Sequence, residues 1–142
     1  MTVLDAHLTA SPGASVLPLL ALTEPLPGFP RHRDYALVPA DAQALLYWLQ
    51  SVASDGPRFL VASAASFFPD YLPALPVGAC DELELADAAE AALYCLVTVP
   101  RGDVSASTAN LRAPVVVNPA AGLARQVVLA DGGPSIRRPL RR

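Results

Sequence analysis

The sequence predicts a single domain built mainly from short β-strands, and three observations lead to this prediction. The chain has 142 residues, which is enough for one hydrophobic core. Its composition is 53% hydrophobic and 16% charged, which is typical of a globular protein. Fifteen prolines occur along the chain, and because proline breaks helix interiors, they favour short strands separated by turns.

The clearest element is a β-hairpin within residues 107–129. Three β-branched residues at 115–117 form its first strand, and Asn118, which precedes a proline, closes that strand. Gly122 marks the far side of the loop, and residues 126–129 return as the partner strand. Just before the hairpin, the short amide of Asn110 is expected to bind its own backbone at a bend.

The remaining strands are predicted from short apolar runs bounded by turn residues. In the strongly apolar strand 45–51, apolar residues occur on both alternating faces, which indicates a central strand or one covered on both sides. Trp48 in this strand is expected to belong to the core. The predicted strands lie near 16–22, 34–38, 45–51, 58–62, 93–99, 113–117 and 125–130.

One short acidic helix is predicted within residues 80–91. Asp81, Glu82 and Glu84 alternate there with leucines and alanines, all of which tolerate a helical turn. The carboxylates either form a solvated face or make an electrostatic contact with a basic partner.

Two aromatic loops carry further candidate contact residues. Prolines and a glycine force an ordered loop over residues 24–30, in which Phe29 is expected to enter the core; the alternative is an exposed aromatic at a partner site. Pro69 holds Phe68 extended, so one of the two phenylalanines at 67–68 enters the core while the other meets another surface. Asp70 and Tyr71 follow on a rigid turn and are favoured as contact residues.

The charge distribution does not resemble that of a nucleic-acid-binding protein. The formal net charge is −3, lysine is absent, and four of the ten arginines lie in the last six residues. An acidic body of this kind favours a basic protein partner.

Residues that could organise catalysis or hold a cofactor or metal are scarce. The histidines are His7 and His32, and the cysteines Cys80 and Cys95 lack metal-ligand spacing. Neither a glycine-rich phosphate loop nor a nucleophile elbow occurs. We therefore predict a binding protein that is not an enzyme and has no cofactor. We find no secretory signal and no apolar run of membrane-spanning length, so a cytoplasmic location is expected.

Five separate motifs then resemble one family. They are LPGF at 26–29, WLQS at 48–51, FFPDY at 67–71, TVP at 98–100, and TANLRAPVVVNP at 108–119 followed by QVVL; Ser135, Arg137, Pro139 and Leu140 match at the end of the chain. Together they resemble the signature of the flagellar assembly factor FliW. Pro25, the stretch 63–66, Pro134 and Arg138 depart from the family pattern.

The resemblance implies an all-β fold, a partly open antiparallel β-barrel with one short helix. It would span residues 16–140, after a variable segment 1–15 and before a basic end 141–142. The resemblance also implies a regulator that binds CsrA, an RNA-binding repressor of flagellin translation, and that is itself bound by flagellin, without direct nucleic-acid or membrane contact.

The candidate partner-binding residues are Glu24, Phe29, Phe68, Asp70, Tyr71, Asp81, Glu82, Glu84, Asn110 and Arg137. Two alternatives stay open. One is a barrel adaptor of the same fold with a different protein partner. The other is a small hydrolase, which a deep pocket with clustered titratable groups would favour.

Overall fold

The computed structural model describes residues 19–42, 45–129 and 135–140. The predicted segments 1–15 and 141–142, and the outer ends of the predicted strands 16–22 and 125–130, lie outside this range. Within the described residues, no helix is both long enough and apolar enough to cross a membrane.

Strands dominate the described chain, with two short α-helices and three single turns of 3₁₀ helix. The strands are β1 (Leu19–Leu22), β2 (Asp34–Pro39), β3 (Leu46–Ser51), β4 (Arg58–Ser63), β5 (Ala92–Thr98), β6 (Thr108–Ala109), β7 (Val115–Asn118), β8 (Leu123–Gln126) and β9 (Arg138–Pro139). The helices are α1 (Ala64–Phe67) and α2 (Val77–Glu82), and the 3₁₀ turns are Ala88–Glu90, Pro100–Gly102 and Val104–Ala106.

Seven of these strands close into a barrel in the order β1-β2-β3-β4-β5-β7-β8 and back to β1. Neighbouring strands pair antiparallel except β1 and β8, which pair parallel with Ala21 opposite Leu123. The short strands β6 and β9 extend the sheet beyond β5. The predicted all-β barrel is confirmed, and its ring of pairings is closed, with one parallel seam.

The barrel interior follows from the two-residue alternation of side chains along each strand. Leucines, valines and aromatic rings from six strands meet there with Ala124 of β8, and Tyr35, Leu49 and Val61 are almost completely buried. The interior set comprises Leu20, Leu22, Leu26, Tyr35, Leu37, Leu49, Val61, Val115, Val117 and Ala124, with Tyr47, Phe59, Ala92, Tyr94 and Leu96 packed against it.

Each α-helix covers part of the barrel's outer face. Ala64 of α1 packs with Cys95 of β5, and Ala79 of α2 packs with Val116 of β7. Val116 thus faces α2, while its neighbours Val115 and Val117 face the interior. This double covering explains why the sequence has three consecutive buried valines.

Trp48 does not lie in the barrel core, where the sequence placed it. The indole is half-buried on the outer face of β3, and the Arg58 guanidinium lies 4.1 Å from its ring centroid. The strand is central, between β2 and β4, but its outer face is only partly covered.

The acidic helix is shorter than predicted and starts earlier, at Val77. Glu84 takes a positive φ of 59°, its N–H donates to Asp81 O (3.1 Å), and Leu85 N–H donates to Cys80 O (2.8 Å). These two bonds are those of a Schellman C-cap, in which a left-handed residue ends the helix. Residues 88–90 form a separate 3₁₀ turn, and α1 is a second helix that the sequence reading missed.

The predicted hairpin forms, with its return strand β8 starting at Leu123 rather than at residue 126. Asn118 Oδ1 accepts from the N–H groups of Ala120 (3.1 Å) and Ala121 (3.3 Å), which shapes the loop. Asn118 Nδ2 donates to Leu83 O (2.8 Å), so the same buried side chain also ties the hairpin to the end of α2.

Candidate functional site

Eight of the ten candidate contact residues lie at three places on the barrel. The first is an acidic patch, which we define as Glu24, Asp81, Glu82 and Glu84. The second is an apolar groove beside α1, near Phe68, Asp70 and Tyr71. The third is a cleft at Phe29.

In the acidic patch, Arg125 of β8 brings two candidates together that are 58 residues apart in the chain. Its guanidinium lies 3.4 Å from Glu24 Oε1 and 2.5 Å from Glu82 Oε1. The Asp81 and Glu84 side chains, on the last turn of α2 and its cap, are exposed. The carboxylates outnumber the one guanidinium, so the patch keeps a negative charge that a basic partner could use.

The apolar groove has a volume of about 610 Å³ and lies between α1, the proline-rich segment 69–76 and the 3₁₀ turn at 88–90. Its lining includes Ala64, Phe68, Leu72, Leu75, Ala88, Ala89, Ala91 and Leu93. Asp70 is exposed between two lining residues.

Phe68 and Tyr71 support the groove from below. Phe68 is only 5% exposed, and the Arg138 guanidinium lies 5.0 Å from its ring centroid. The Tyr71 hydroxyl donates a hydrogen bond to Leu111 O, and burial, with a smaller contribution from Cys95, raises the pKa of Tyr71. Both rings are therefore used mainly to hold the 69–76 segment against the barrel.

Asn110 is next to Leu111, which Tyr71 contacts, and Arg137 lies on the 135–140 segment that pairs with this stretch. Asn110 Oδ1 accepts from the N–H groups of Arg112 (2.9 Å) and Ala113 (3.2 Å), the backbone bend that the sequence predicted. The adjacent Leu111 N–H donates to Ser135 O (2.9 Å), and Arg137, two residues further on, is exposed. Asn110 thus shapes the backbone bend next to Leu111, while the Arg137 side chain is available at the surface.

Phe29 is neither fully buried nor freely exposed. Its ring packs edge-to-face on Phe59, with 5.3 Å between the centroids, at a cleft of about 340 Å³ formed by residues 28–32 and 55–57. The side chain therefore covers one edge of the interior cluster and also lines a surface cleft.

That cleft adjoins a serine–histidine pair, which bears on the hydrolase alternative. His32 Nδ1 lies 3.2 Å from Ser51 Oγ, but Ser51 is buried and its Oγ also accepts from Ala53 N–H (3.1 Å). Gly56 packs directly against the Ser51 hydroxyl, since a Cβ at position 56 would come within 2.2 Å of Ser51 Oγ. Because Ser51 is buried, the pair links the loop of His32 to the end of β3 and lacks the accessible hydroxyl that a nucleophile needs.

Metal ligands are not grouped in the described ranges. No three histidine, cysteine, aspartate or glutamate side chains there are close enough to hold a metal ion. Burial raises the pKa of the Cys95 thiol to about 12, so this sulfur is a neutral packing group at neutral pH.

Sequence reasoning missed Arg125 and Leu72. Arg125 is one charged residue in an otherwise ordinary strand, and its partners are 43 and 101 residues away. Leu72 gave a weak signal, an apolar residue between prolines, and the structure leaves it 87% exposed.

Comparisons with known proteins agree with this geometry. Residues 13–140 match the family profile described as FliW protein. The chain is 38% identical over 122 residues to the flagellar assembly factor FliW of Bdellovibrio bacteriovorus, covering 86% of this chain and 69% of that protein. It is 34% identical over 111 residues to that of Moorella thermoacetica, covering 78% and 70%.

A solved structure is similar as well. The crystal structure of a flagellar assembly factor FliW superposes with a TM-score of 0.77 at 26% identity, covering 88% of this chain and 86% of that one. A barrel of the same topology, a profile match over most of the chain and relatives above 30% identity lead to one conclusion: this chain belongs to the FliW family of flagellar assembly factors.

Proposed function

We propose that this protein binds the translational repressor CsrA in the cytoplasm and so relieves the repression of flagellin translation. In the same proposal, unsecreted flagellin binds the protein in turn and releases CsrA. Flagellin synthesis would then follow flagellin export. Membership of a family of flagellar assembly factors supports this role.

The acidic patch is the observation that carries the proposal. A repressor that binds RNA needs a basic surface, and opposite charges raise the rate at which two proteins meet. Arg125 holds Glu24 and Glu82 in place, so part of the patch is already ordered before a partner binds. The contact residues in this proposal are the four carboxylates of the patch, with Asp70 and Arg137 as exposed outer candidates.

A three-component titration tests the proposal. Labelled flagellin leader RNA is bound to CsrA, this protein is added, and RNA release is followed by fluorescence anisotropy. We expect release that flagellin reverses. No release at a large excess of this protein, with CsrA still active on RNA, would reject the proposal and leave the adaptor with another partner.

Matched variants locate the contact. Asp81→Asn combined with Glu84→Gln removes two exposed charges of the patch, and we expect association with CsrA to slow about tenfold at low salt. Asp55→Asn, an exposed carboxylate at the Phe29 cleft, is the control and should leave the rate unchanged. Because salt screens exposed charges, the difference between these variants should shrink as the salt concentration rises.

A further inference from the structure

We propose that the apolar groove binds an amphipathic helix of a partner protein, one whose apolar face is flanked by arginine or lysine. This goes beyond the proposed function, since it concerns a second surface and does not depend on which protein supplies the helix.

The apolar character of the groove comes from both its lip and its floor. Leu72 at the lip is 87% exposed, and the prolines on either side of the 70–72 stretch limit how far its backbone can move to hide the side chain. Leu75 and Leu93 lie below it, half-buried. A leucine held at the open edge of an apolar groove loses little entropy when a partner covers it.

The shape of the groove favours a helix over an extended peptide. Adding a strand needs a free sheet edge, but β5 pairs with β7 at Ala92–Tyr94 and with β4 from Tyr94 onward. Only Ala92 and Leu93 therefore leave a strand edge towards β4, which is too short to hold an extended chain. A helix satisfies its own backbone, and the small side chains of Ala88, Ala89 and Ala91 let it approach closely.

The volume of the groove also fits such a ligand. About 610 Å³ lies within the range of clefts that enclose drug-sized ligands, roughly 300–1,000 Å³. Several leucine-sized side chains from successive turns of one helix can fill it, at the i, i+3, i+4 and i+7 spacing of helix-in-groove recognition.

The charges around the groove indicate basic flanks on the helix. Asp87 Oδ1 accepts from Ala89 N–H (2.9 Å) and Glu90 Oε1 from Ala86 N–H (3.1 Å), so both carboxylates are held at the ends of the 3₁₀ turn. Asp70 adds a third exposed carboxylate. The Arg138 guanidinium also lies near the groove, 5.0 Å from the ring centroid of the buried Phe68. Three exposed carboxylates therefore lie beside the uncharged lining of the groove.

Model peptides test this chemistry directly. The probe is a synthetic helical peptide of about sixteen residues with leucines and alanines on one face and arginines beside them. Two controls have the same length: one replaces each arginine with glutamate, and one interrupts the apolar face with serines. We expect the basic peptide alone to shift the backbone NMR signals of Leu72, Ala89 and Leu93.

Variants of the protein separate the apolar from the electrostatic contribution. Leu72→Ser should weaken binding about fivefold or more, while Val104→Ser, at a similarly exposed valine (74%) outside the groove, should not change it. Asp87→Asn with Glu90→Gln keeps both hydrogen-bond acceptors and removes both charges. It should weaken binding about threefold at low salt and have little effect at high salt. Circular dichroism confirms that each variant is folded.

Three results would overturn the proposal. The first is that no groove signal shifts at millimolar basic peptide. The second is equal binding of the acidic peptide, which would remove the charge argument. The third is self-association of the protein that Leu72→Ser abolishes, because the occupant would then be a second copy of this chain. None of these results bears on CsrA release, so this proposal and the proposed function can fail separately.

Discussion

At the scale of single residues, the surroundings of the Tyr35 side chain do not match its chemistry. Its ring is completely buried in the barrel interior, yet its hydroxyl has no hydrogen-bond partner among the described residues. Burial also raises the pKa of Tyr35, because the phenolate is disfavoured there. An unpaired buried hydroxyl costs about 1–3 kcal/mol of stability.

We therefore expect Tyr35→Phe to leave the free energy of unfolding unchanged or to raise it by about 1 kcal/mol. Tyr71→Phe is the matched control, since that hydroxyl donates to Leu111 O, and it should lower stability by about 1 kcal/mol. Urea unfolding measures both. Equal destabilisation by the two changes would mean that Tyr35 has a partner in solution.

Cys95 makes the stability of the protein depend on pH. The folded pKa of the thiol is raised to about 12 from an unfolded value of 9.0, because the thiolate would be buried. The stabilisation is complete below pH 9 and is lost as the pH rises from about 9 towards 12, since only the unfolded chain ionises there.

From pH 8 to pH 9.5 this protein should lose about 1 kcal/mol more stability than its Cys95→Ala variant, as measured by urea unfolding. Tyr35, Tyr71 and Tyr94, whose pKa values burial also raises, are present in both proteins, so their contribution cancels in this comparison. Equal loss of stability in the parent protein and in Cys95→Ala over this range would contradict the burial of this thiol.

Residue roles were predictable where their partners are near in sequence. Asn110 binds backbone groups two and three residues away, and a turn-forming amide predicts that. The Arg125 ion pairs depend on how distant strands are arranged, so no local pattern predicted them.

At the scale of elements, the end of α2 shows how one backbone conformation can override residue preference. Glu84 is left-handed, which costs a residue with a Cβ about 1 kcal/mol relative to glycine. The acidic run continues to Glu90 with good helix formers, so its composition predicted a longer helix. The C-cap that ends the helix contains no glycine, the residue that usually indicates a C-cap in a sequence.

We expect Glu84→Gly to raise the free energy of unfolding by about 0.5–1 kcal/mol, because glycine adopts this conformation without a steric cost. Glu84→Gln keeps the Cβ, removes the charge and should change stability little. Thermal unfolding of both variants measures the difference. If glycine were no better than glutamine, Glu84 would not be strained as the structure indicates.

At the scale of the whole molecule, the closed ring of seven strands should behave as one cooperative unit. Strand β3 is paired along its length with β2 and β4, whereas β6 and β9 are two-residue strands at the end of the sheet. The amides of β3 should therefore exchange hydrogen more slowly than those of β6, as measured by mass spectrometry. Similar rates in the two strands would contradict a cooperative ring.

Strands β2 to β5 and β7 were predicted to within two residues, because alternation and turn residues are local signals. The strand predicted at 125–130 is instead β8 at Leu123–Gln126, and β6 and β9 were not predicted. The order of the strands in the barrel was not predicted, since an apolar run does not specify which strand it pairs with. The barrel itself was implied by the resemblance to the family. The groove escaped prediction for the same reason: its lining comes from α1, the 69–76 segment and the start of β5, which meet only in the folded chain.

The parallel pairing of β1 with β8 also determines how late in synthesis the barrel can close. Ala21 cannot pair with Leu123 until the ribosome has added that residue, about a hundred residues later. At 5–20 residues per second, Leu20 and Leu22 stay uncovered by their final neighbour for roughly 5–20 s in every round of translation. The barrel of a newly made molecule can therefore close only after the last strands of the ring have been synthesised. A chain whose synthesis stops before β8 cannot close its barrel.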